Sequence, residues 1–93
     1  MGQTALIIAA VRGHDTIIPL LLEADAQIDA QNLDGQTPLI YASYAGKEAA
    51  VRELLKGNPN LDLENKYGGT ALAYARNQNH ESIVNLLVDH ERS

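Results

Sequence analysis

The 93-residue sequence contains no cysteine, which excludes disulfide bonds and any metal site built on thiolates. It also contains no tryptophan or phenylalanine, and its four aromatic residues are all tyrosine. The core must therefore come from small and aliphatic residues, chiefly alanine, leucine and isoleucine, which suit thin, closely packed helices. No apolar run approaches the roughly 20 residues that a membrane-spanning helix needs, so we expect no membrane span.

The charge balance is acidic. Twelve aspartates and glutamates against seven lysines and arginines give a formal net charge of −5, which argues against nucleic acid or an anionic membrane as the partner. No targeting peptide is visible after Met1. We therefore expect a cytoplasmic protein, although a protein whose signal had been removed would have the same sequence.

The stretch 35–46 has the sequence of a tight turn followed by a short, capped helix. Gly35 permits a positive φ at the turn. Thr37 is a good helix N-cap, and Pro38 falls at the first helical position, where its missing N–H costs nothing. Gly46 should end the helix in the left-handed conformation. A helix this short is not stable alone, which indicates that it is one part of a repeated structure.

The stretch recurs with a fixed period. Its glycines stand at 2, 35 and 68, and both 35 − 2 and 68 − 35 equal 33. Other residues coincide in the same register, among them Ala9, Ala42 and Ala75, and Leu21, Leu54 and Leu87. A period of 33 with Thr-Pro-Leu at 37–39 is typical of one family of helical solenoids. The sequence therefore resembles the ankyrin repeat family over nearly its whole length.

This resemblance implies an all-α solenoid of stacked helix-turn-helix units joined by extended finger loops. We expect a single domain, 1–93, with unit one at about 2–34, unit two at about 35–67 and unit three at about 68–93. The family motif has a histidine after Thr-Pro-Leu that ties neighbouring units together. Ile7, Ile40 and Ala73 stand there instead, so we expect apolar packing to replace the polar tie, or the tie to be lost.

Local signals predict the ends of the helices. The first helix should span about 5–12 with Thr4 as its cap, and the second about 15–24 with a slight bend at Pro19. The second helix of unit two is expected at about 47–56, and the first helix of unit three at about 71–78. Left-handed residues should follow three of the helices: Asp25, Asn58 and Asn79.

Catalytic and metal-binding roles find little support. His14 and His80 are two periods apart, so they occupy equivalent places, which favours a structural role. His80 and His90 lack the spacing of zinc ligands. No serine has a histidine placed to activate it, and every glycine is explained by a turn of the repeat. The sequence predicts no enzyme, no cofactor and no metal site.

The resemblance also implies a function, because ankyrin-type stacks bind partners with the concave surface formed by finger tips and first helices. We expect a protein–protein interaction module, the alternative being a structural spacer within a longer array. Matched position by position, the expected partner-binding residues are Arg12, Leu33, Asp34, Gln36, Tyr41, Tyr44, Lys66, Tyr67, Tyr74 and Asn77.

All four tyrosines fall within this set, and tyrosine is enriched at interface hot spots. We expect them to form a contact stripe flanked by Asp34 and Lys66. The alternative is that the rings only cover the first helices, with their hydroxyls in water. Unit one is also rich in isoleucine and leucine, like an internal repeat. An exposed apolar end drives association, so we expect this uncapped N-terminal repeat to self-associate or to be covered by another molecule.

Overall fold

The computed structural model describes the backbone of residues 2–92 and the side chains of residues 5–92. All regular secondary structure in this range is helical, which confirms the all-α prediction. The helices are α1 (Gly2–Arg12), α2 (Ile18–Glu23), α3 (Pro38–Ala45), α4 (Glu48–Lys56), α5 (Ala71–Asn77) and α6 (Glu81–Arg92). The first helices of the units, α1, α3 and α5, stack side by side in one layer. The second helices, α2, α4 and α6, form the other layer.

The predicted caps are present in units two and three. The Thr37 hydroxyl accepts a hydrogen bond from the Ile40 N–H at 3.1 Å, and the Thr70 hydroxyl accepts one from the Ala73 N–H at 3.2 Å. The prediction for unit one was wrong, because α1 begins at Gly2 and Thr4 lies inside the helix. In units two and three the first helix starts directly after a finger turn, with the threonine as its cap. In unit one residues 2 and 3 are themselves helical, so Thr4 does not stand at the start of the helix. The side chain of Thr4 lies outside the described residues.

The second helix of unit one is shorter than predicted. It spans only Ile18–Glu23, and residues 15–17 form a turn instead of helix. Pro19 has no N–H to donate to the carbonyl of Asp15, so the helix starts later and Pro19 falls in its first turn. A proline in the first turn leaves no hydrogen bond broken, so the predicted bend at Pro19 was wrong.

The predicted ends of the other helices are nearly correct. α4 begins one residue later than expected, at Glu48, and α5 ends one residue earlier, at Asn77. Each of the three expected left-handed residues has a positive φ: Asp25 (66°), Asn58 (55°) and Asn79 (60°). Gly46 ends α3 with a φ of 73°.

Aliphatic side chains from both helical layers form the core. Leu6, Ile18, Val51 and Leu54 are fully buried, and Ile83 is almost so. Ala9, Ala42 and Ala75 occupy equivalent positions and are buried in all three units, so the core is continuous along the stack. One polar side chain interrupts it, because the Ser43 hydroxyl is buried without a hydrogen-bond partner in the described part of the chain.

Neighbouring units are held together without the family histidine. Ile40 is buried in its place, Ile7 is half-buried and Ala73 is exposed. Apolar packing therefore replaces the tie in unit two, and unit three has none at this position. Hydrogen bonds between fingers join the units instead. The Gln31 amide donates to the Glu64 carbonyl at 2.9 Å, and the Lys66 N–H donates to the Asp34 carbonyl at 2.9 Å.

His80 has the structural role expected of it. Its Nε2 lies 3.1 Å from the carbonyl oxygen of Tyr44, in the last turn of α3. The imidazole also lies against Gly46, where an added Cβ would be only 2.8 Å from His80 Cε1. Gly46 thus serves both the left-handed turn and this close approach, and His80 joins unit three to the end of α3.

Candidate protein-interaction surface

Two asparagines one period apart shape the fingers. Asn32 Oδ1 accepts hydrogen bonds from the backbone N–H groups of Asp34 and Gln36, both at 3.0 Å. Asn65 Oδ1 accepts the equivalent bonds from Tyr67 at 3.0 Å and Gly69 at 2.9 Å. An asparagine that bonds backbone groups a few residues ahead fixes a turn, so each finger is held at its base by one side chain.

The same asparagines hold the fingers against the first helices. Asn32 Nδ2 donates to the Tyr41 hydroxyl at 3.3 Å, and Asn65 Nδ2 donates to the Tyr74 hydroxyl at 2.8 Å. Asn65 Nδ2 also donates to Gln36 Oε1 at 3.2 Å, which joins two units. The Tyr41 and Tyr74 hydroxyls are therefore bonded to the fingers.

Three tyrosine rings line a cavity beside α3 and α5. Its volume is about 170 Å³, and its walls are Gln36, Ile40, Tyr41, Tyr44 and Tyr74. The Tyr44 and Tyr74 rings meet edge to face, with centroids 5.7 Å apart and planes at 86°. Gly69 makes room for this arrangement, because a Cβ there would overlap Tyr74 Cε2.

The finger tips carry exposed side chains of mixed character. Leu33 is fully exposed, and Tyr67 is 71% exposed. Lys66 Nζ lies 2.7 Å from Asp34 Oδ1 and 5.2 Å from the centroid of the Tyr67 ring. The bond to Asp34, followed by the contact with Tyr67, raises the pKa of Lys66. Asp34 and Lys66 thus bind each other between neighbouring tips and compensate each other's charge.

The predicted residues fall into three groups. Gln36, Tyr41, Tyr44 and Tyr74 meet at the cavity, and Leu33, Asp34, Lys66 and Tyr67 lie at the finger tips. Arg12 and Asn77 are exposed at the ends of α1 and α5 and belong to neither group. The prediction missed Asn32, Asn65 and Ile40. The signal for the two asparagines was present, since they are 33 residues apart.

The family model described as ankyrin repeats (3 copies) matches residues 6–93. The chain belongs to the ankyrin repeat family. A search of curated proteins found no match. Ankyrin repeats are in general protein-interaction modules and are non-catalytic.

None of the helices between residues 2 and 92 has the length and apolarity to cross a bilayer. Over the same range, no group of three or more histidines, aspartates and glutamates could hold a metal ion.

Proposed function

We propose that this ankyrin domain binds another protein through its concave surface, made of the two finger tips and the first helices α1, α3 and α5. The main support is the exposure of large apolar side chains on a rigid frame. Leu33 is fully exposed, Tyr67 is 71% exposed and Tyr44 is 51% exposed. Asn32 and Asn65 fix the fingers that carry two of them, so little ordering entropy would be lost on binding.

The chemistry of the surface suits a protein partner. Tyrosine offers a rigid apolar face with a polar tip, and Tyr44 and Tyr67 are the two most exposed rings. Exposed polar side chains also lie on the first helices and finger tips, namely Arg12, Asn77 and the Asp34–Lys66 pair. An apolar centre within a polar rim is the usual anatomy of a protein interface.

The test compares protein capture by two variants. Replacing Tyr44 and Tyr67 together by alanine should abolish capture of the partner from a lysate of the source cell, with the captured proteins identified by mass spectrometry. The control replaces Arg52 and Lys56 by alanine on the exposed face of α4 and should capture the same partner as the unchanged domain. Both variants should cost little stability, because all four side chains are exposed.

Unchanged affinity of the double tyrosine variant for the same partner would contradict the proposal. The spacer alternative predicts that neither variant changes what is captured. Thermal melting of both proteins guards against a loss of capture that comes from unfolding.

Self-association is a second candidate, and a comparison of equivalent positions favours it. Residues 17, 50 and 83 occupy equivalent positions in the three units. Ile17 is 44% exposed, whereas Ala50 is fully buried and Ile83 is 2% exposed. Ile83 is covered even though no unit packs behind unit three in the described chain. The cover must therefore come from the unit in front, and the described residues place no such unit in front of unit one. Ala5 is exposed in the same way, whereas its equivalent Ala71 is buried.

The opposite end of the stack does not match this face. Ala10 and Ser43 are fully buried against the following unit, but the equivalent residue of unit three is Arg76, which is exposed. Head-to-tail stacking of two copies would bury the Arg76 guanidinium without a partner charge, which is strongly unfavourable. Two copies would instead meet symmetrically through their N-terminal faces, a closed arrangement that stops at the dimer.

Sedimentation velocity over a wide concentration range tests this arrangement. The unchanged chain should form a dimer as its concentration rises, and Ile17→Lys should remain monomeric. Leu33→Lys introduces the same charge at a finger tip and should dimerise normally. A clean, soluble monomer at high concentration would contradict self-association.

A further inference from the structure

We propose that the tyrosine cavity, lined by Gln36, Ile40, Tyr41, Tyr44 and Tyr74, binds a quaternary ammonium group, namely the trimethylated lysine side chain of the partner protein. This inference rests on the proposed function, because the cavity lies on the concave surface that would dock the partner. It adds to that function the chemical identity of one partner side chain that the surface would bind.

The size and shape of the cavity suit such a group. A cavity needs about 10–15 Å³ to hold one water molecule, so its volume of about 170 Å³ leaves room for a group of several heavy atoms. A trimethylammonium group with its attached methylene is of this size. Tyr44 and Tyr74 line the cavity with their ring planes at 86° to each other, Tyr41 adds a third ring, and the buried Ile40 completes the apolar lining.

The rings are already held in place without a ligand. Asn32 and Asn65 bind the hydroxyls of Tyr41 and Tyr74, and the edge-to-face contact with Tyr74 orients Tyr44. A site whose side chains are fixed in advance loses less entropy on binding. The rings therefore form a preformed cavity.

Electrostatics favour a cation in this cavity. The faces of aromatic rings are negative and attract cations, and aromatic cages bind quaternary ammonium ligands in this way. None of the five lining residues carries a positive charge, and the whole chain has a net charge of −5. The nearby cation at the finger tips, Lys66, is paired with Asp34 at 2.7 Å.

The hydrogen-bonding capacity of the cavity distinguishes among cations. An unmodified ammonium brings three donors and a guanidinium five. The Tyr41 and Tyr74 hydroxyl oxygens and Gln36 Oε1 each already accept one bond from an asparagine amide, and none of the five lining residues has a carboxylate to pair with an N–H cation. A buried donor without an acceptor is costly, whereas a quaternary ammonium has no N–H to satisfy.

The test uses three capped glycine–X–glycine peptides that differ only at the tip of X. In the first, X is trimethyllysine; in the second, its neutral carbon isostere with a tert-butyl tip; in the third, unmodified lysine. Tyrosine ring signals in NMR spectra report binding, at constant ionic strength. We expect saturable shifts at Tyr41, Tyr44 and Tyr74, and affinity for the trimethyllysine peptide about tenfold above that for the other two.

Two substitutions of Tyr44 test whether the preference for trimethyllysine depends on an aromatic ring or only on a bulky apolar side chain. Tyr44→Leu removes the ring and should abolish the preference for trimethyllysine over the neutral isostere, while Tyr44→Phe should keep it. Asn85→Ala, on the exposed face of α6, keeps the net charge and should leave the affinities unchanged. The comparison of peptides on the unchanged protein needs no variant, so it decides even if a variant unfolds.

Three results would overturn the inference. Equal or tighter binding of the neutral isostere would make the cavity a site for an aliphatic side chain. Choline is titrated in the same spectra, and tighter binding of choline than of the trimethyllysine peptide would assign the cavity to a free metabolite. The third is the absence of any saturable shift. Because the peptides require no partner, failure here leaves the capture experiment untouched, and peptide binding without tyrosine-dependent capture would reject only the proposed docking surface.

Discussion

Replacing Asn65 by alanine should destabilise the domain more than any other change in the fingers. Asn65 is only 5% exposed, and its side chain makes four hydrogen bonds. Two of them are accepted from the N–H groups of Tyr67 and Gly69, and two are donated, to Tyr74 and Gln36. Alanine would leave all four partner groups without this amide.

The magnitude follows from how many of those groups water can reach. A hydrogen bond contributes about 0.5–1.5 kcal/mol net, and a buried group left unpaired costs about 1–3 kcal/mol. Tyr67 is exposed, so water can replace its bond, whereas Gly69 and Tyr74 are half-buried. We expect a loss of about 2–4 kcal/mol in the free energy of unfolding. The total for a chain of this length is roughly 5–14 kcal/mol, so the effect is large.

Urea unfolding followed by circular dichroism measures this loss, and the midpoint should fall by about 1–3 M. Asn32 provides a matched control at the equivalent position. It is half-buried, makes three bonds, and its contact with Tyr41 is longer, at 3.3 Å. Asn32→Ala should therefore cost only about 1–2 kcal/mol.

Asn65→Asp offers a second comparison, since a carboxylate still accepts both backbone bonds and can accept a bond from the Tyr74 hydroxyl. It should retain more stability than alanine at neutral pH. The reasoning would be refuted if Asn65→Ala cost less than about 0.5 kcal/mol. It would also be refuted if Asn32→Ala cost as much as Asn65→Ala.

Four other outcomes are expected. Leu54→Ala, at a fully buried site in mid-stack, should cost about 2–5 kcal/mol, and a melting temperature within a degree or two of the parent would count against the packing described. Ser43→Ala should raise the unfolding free energy by about 1 kcal/mol, because it removes an unpaired buried hydroxyl; lower stability in urea would show that the hydroxyl has a partner. Gly69→Ala should cost about 1–3 kcal/mol and shift the Tyr74 ring signals in NMR spectra, since its Cβ would overlap that ring; unchanged signals would contradict the close approach. The hydrogen bond from Arg52, followed by the one from Ser82, lowers the pKa of Glu48 below its usual 4.5. The stability that ionised Glu48 contributes is therefore present above that pH and is lost as the pH falls through the lowered pKa. Glu48→Gln should lose stability less steeply in acid than the parent, and parallel curves of unfolding free energy against pH would refute the pairing.

The repeat period predicted the fold because packing in a stack depends on equivalent residues. Leu54 is fully buried and Leu87 is 2% exposed, as their coincidence at a spacing of 33 indicated. Predictions that depended on one local conformational preference were also correct, such as the left-handed conformation of Asn58. They failed at Pro19, where the missing N–H delayed the start of α2 and did not bend it.

The candidate site could be predicted only in part. Its positions on fingers and first helices followed from the family pattern, but the contacts among them did not. The Asp34–Lys66 pair joins side chains on two fingers, so it depends on how neighbouring units are placed. Asn32 and Asn65 are polar residues in loops, where such residues are commonly solvated. Their role depends on the tyrosine hydroxyls that the folded chain places beside them.

Comparison of equivalent positions separates the tyrosines that build the domain from those that would select a partner. Tyr41 and Tyr74 recur at the period, and both hydroxyls bind a finger asparagine, so their first task is structural. Tyr44 has no tyrosine at its equivalent positions, which hold Val11 and Asn77.

Tyr67 likewise corresponds to Asp34 in the preceding finger. A residue that stacking does not require, and that is exposed, is free to be set by what the surface binds. Under the proposed function, Tyr44 and Tyr67 would therefore be the two tyrosines of the expected contact stripe that select the partner, and Tyr41 and Tyr74 would also hold the fingers. This difference in roles is why the capture experiment changes Tyr44 and Tyr67 and leaves the finger-bound tyrosines in place.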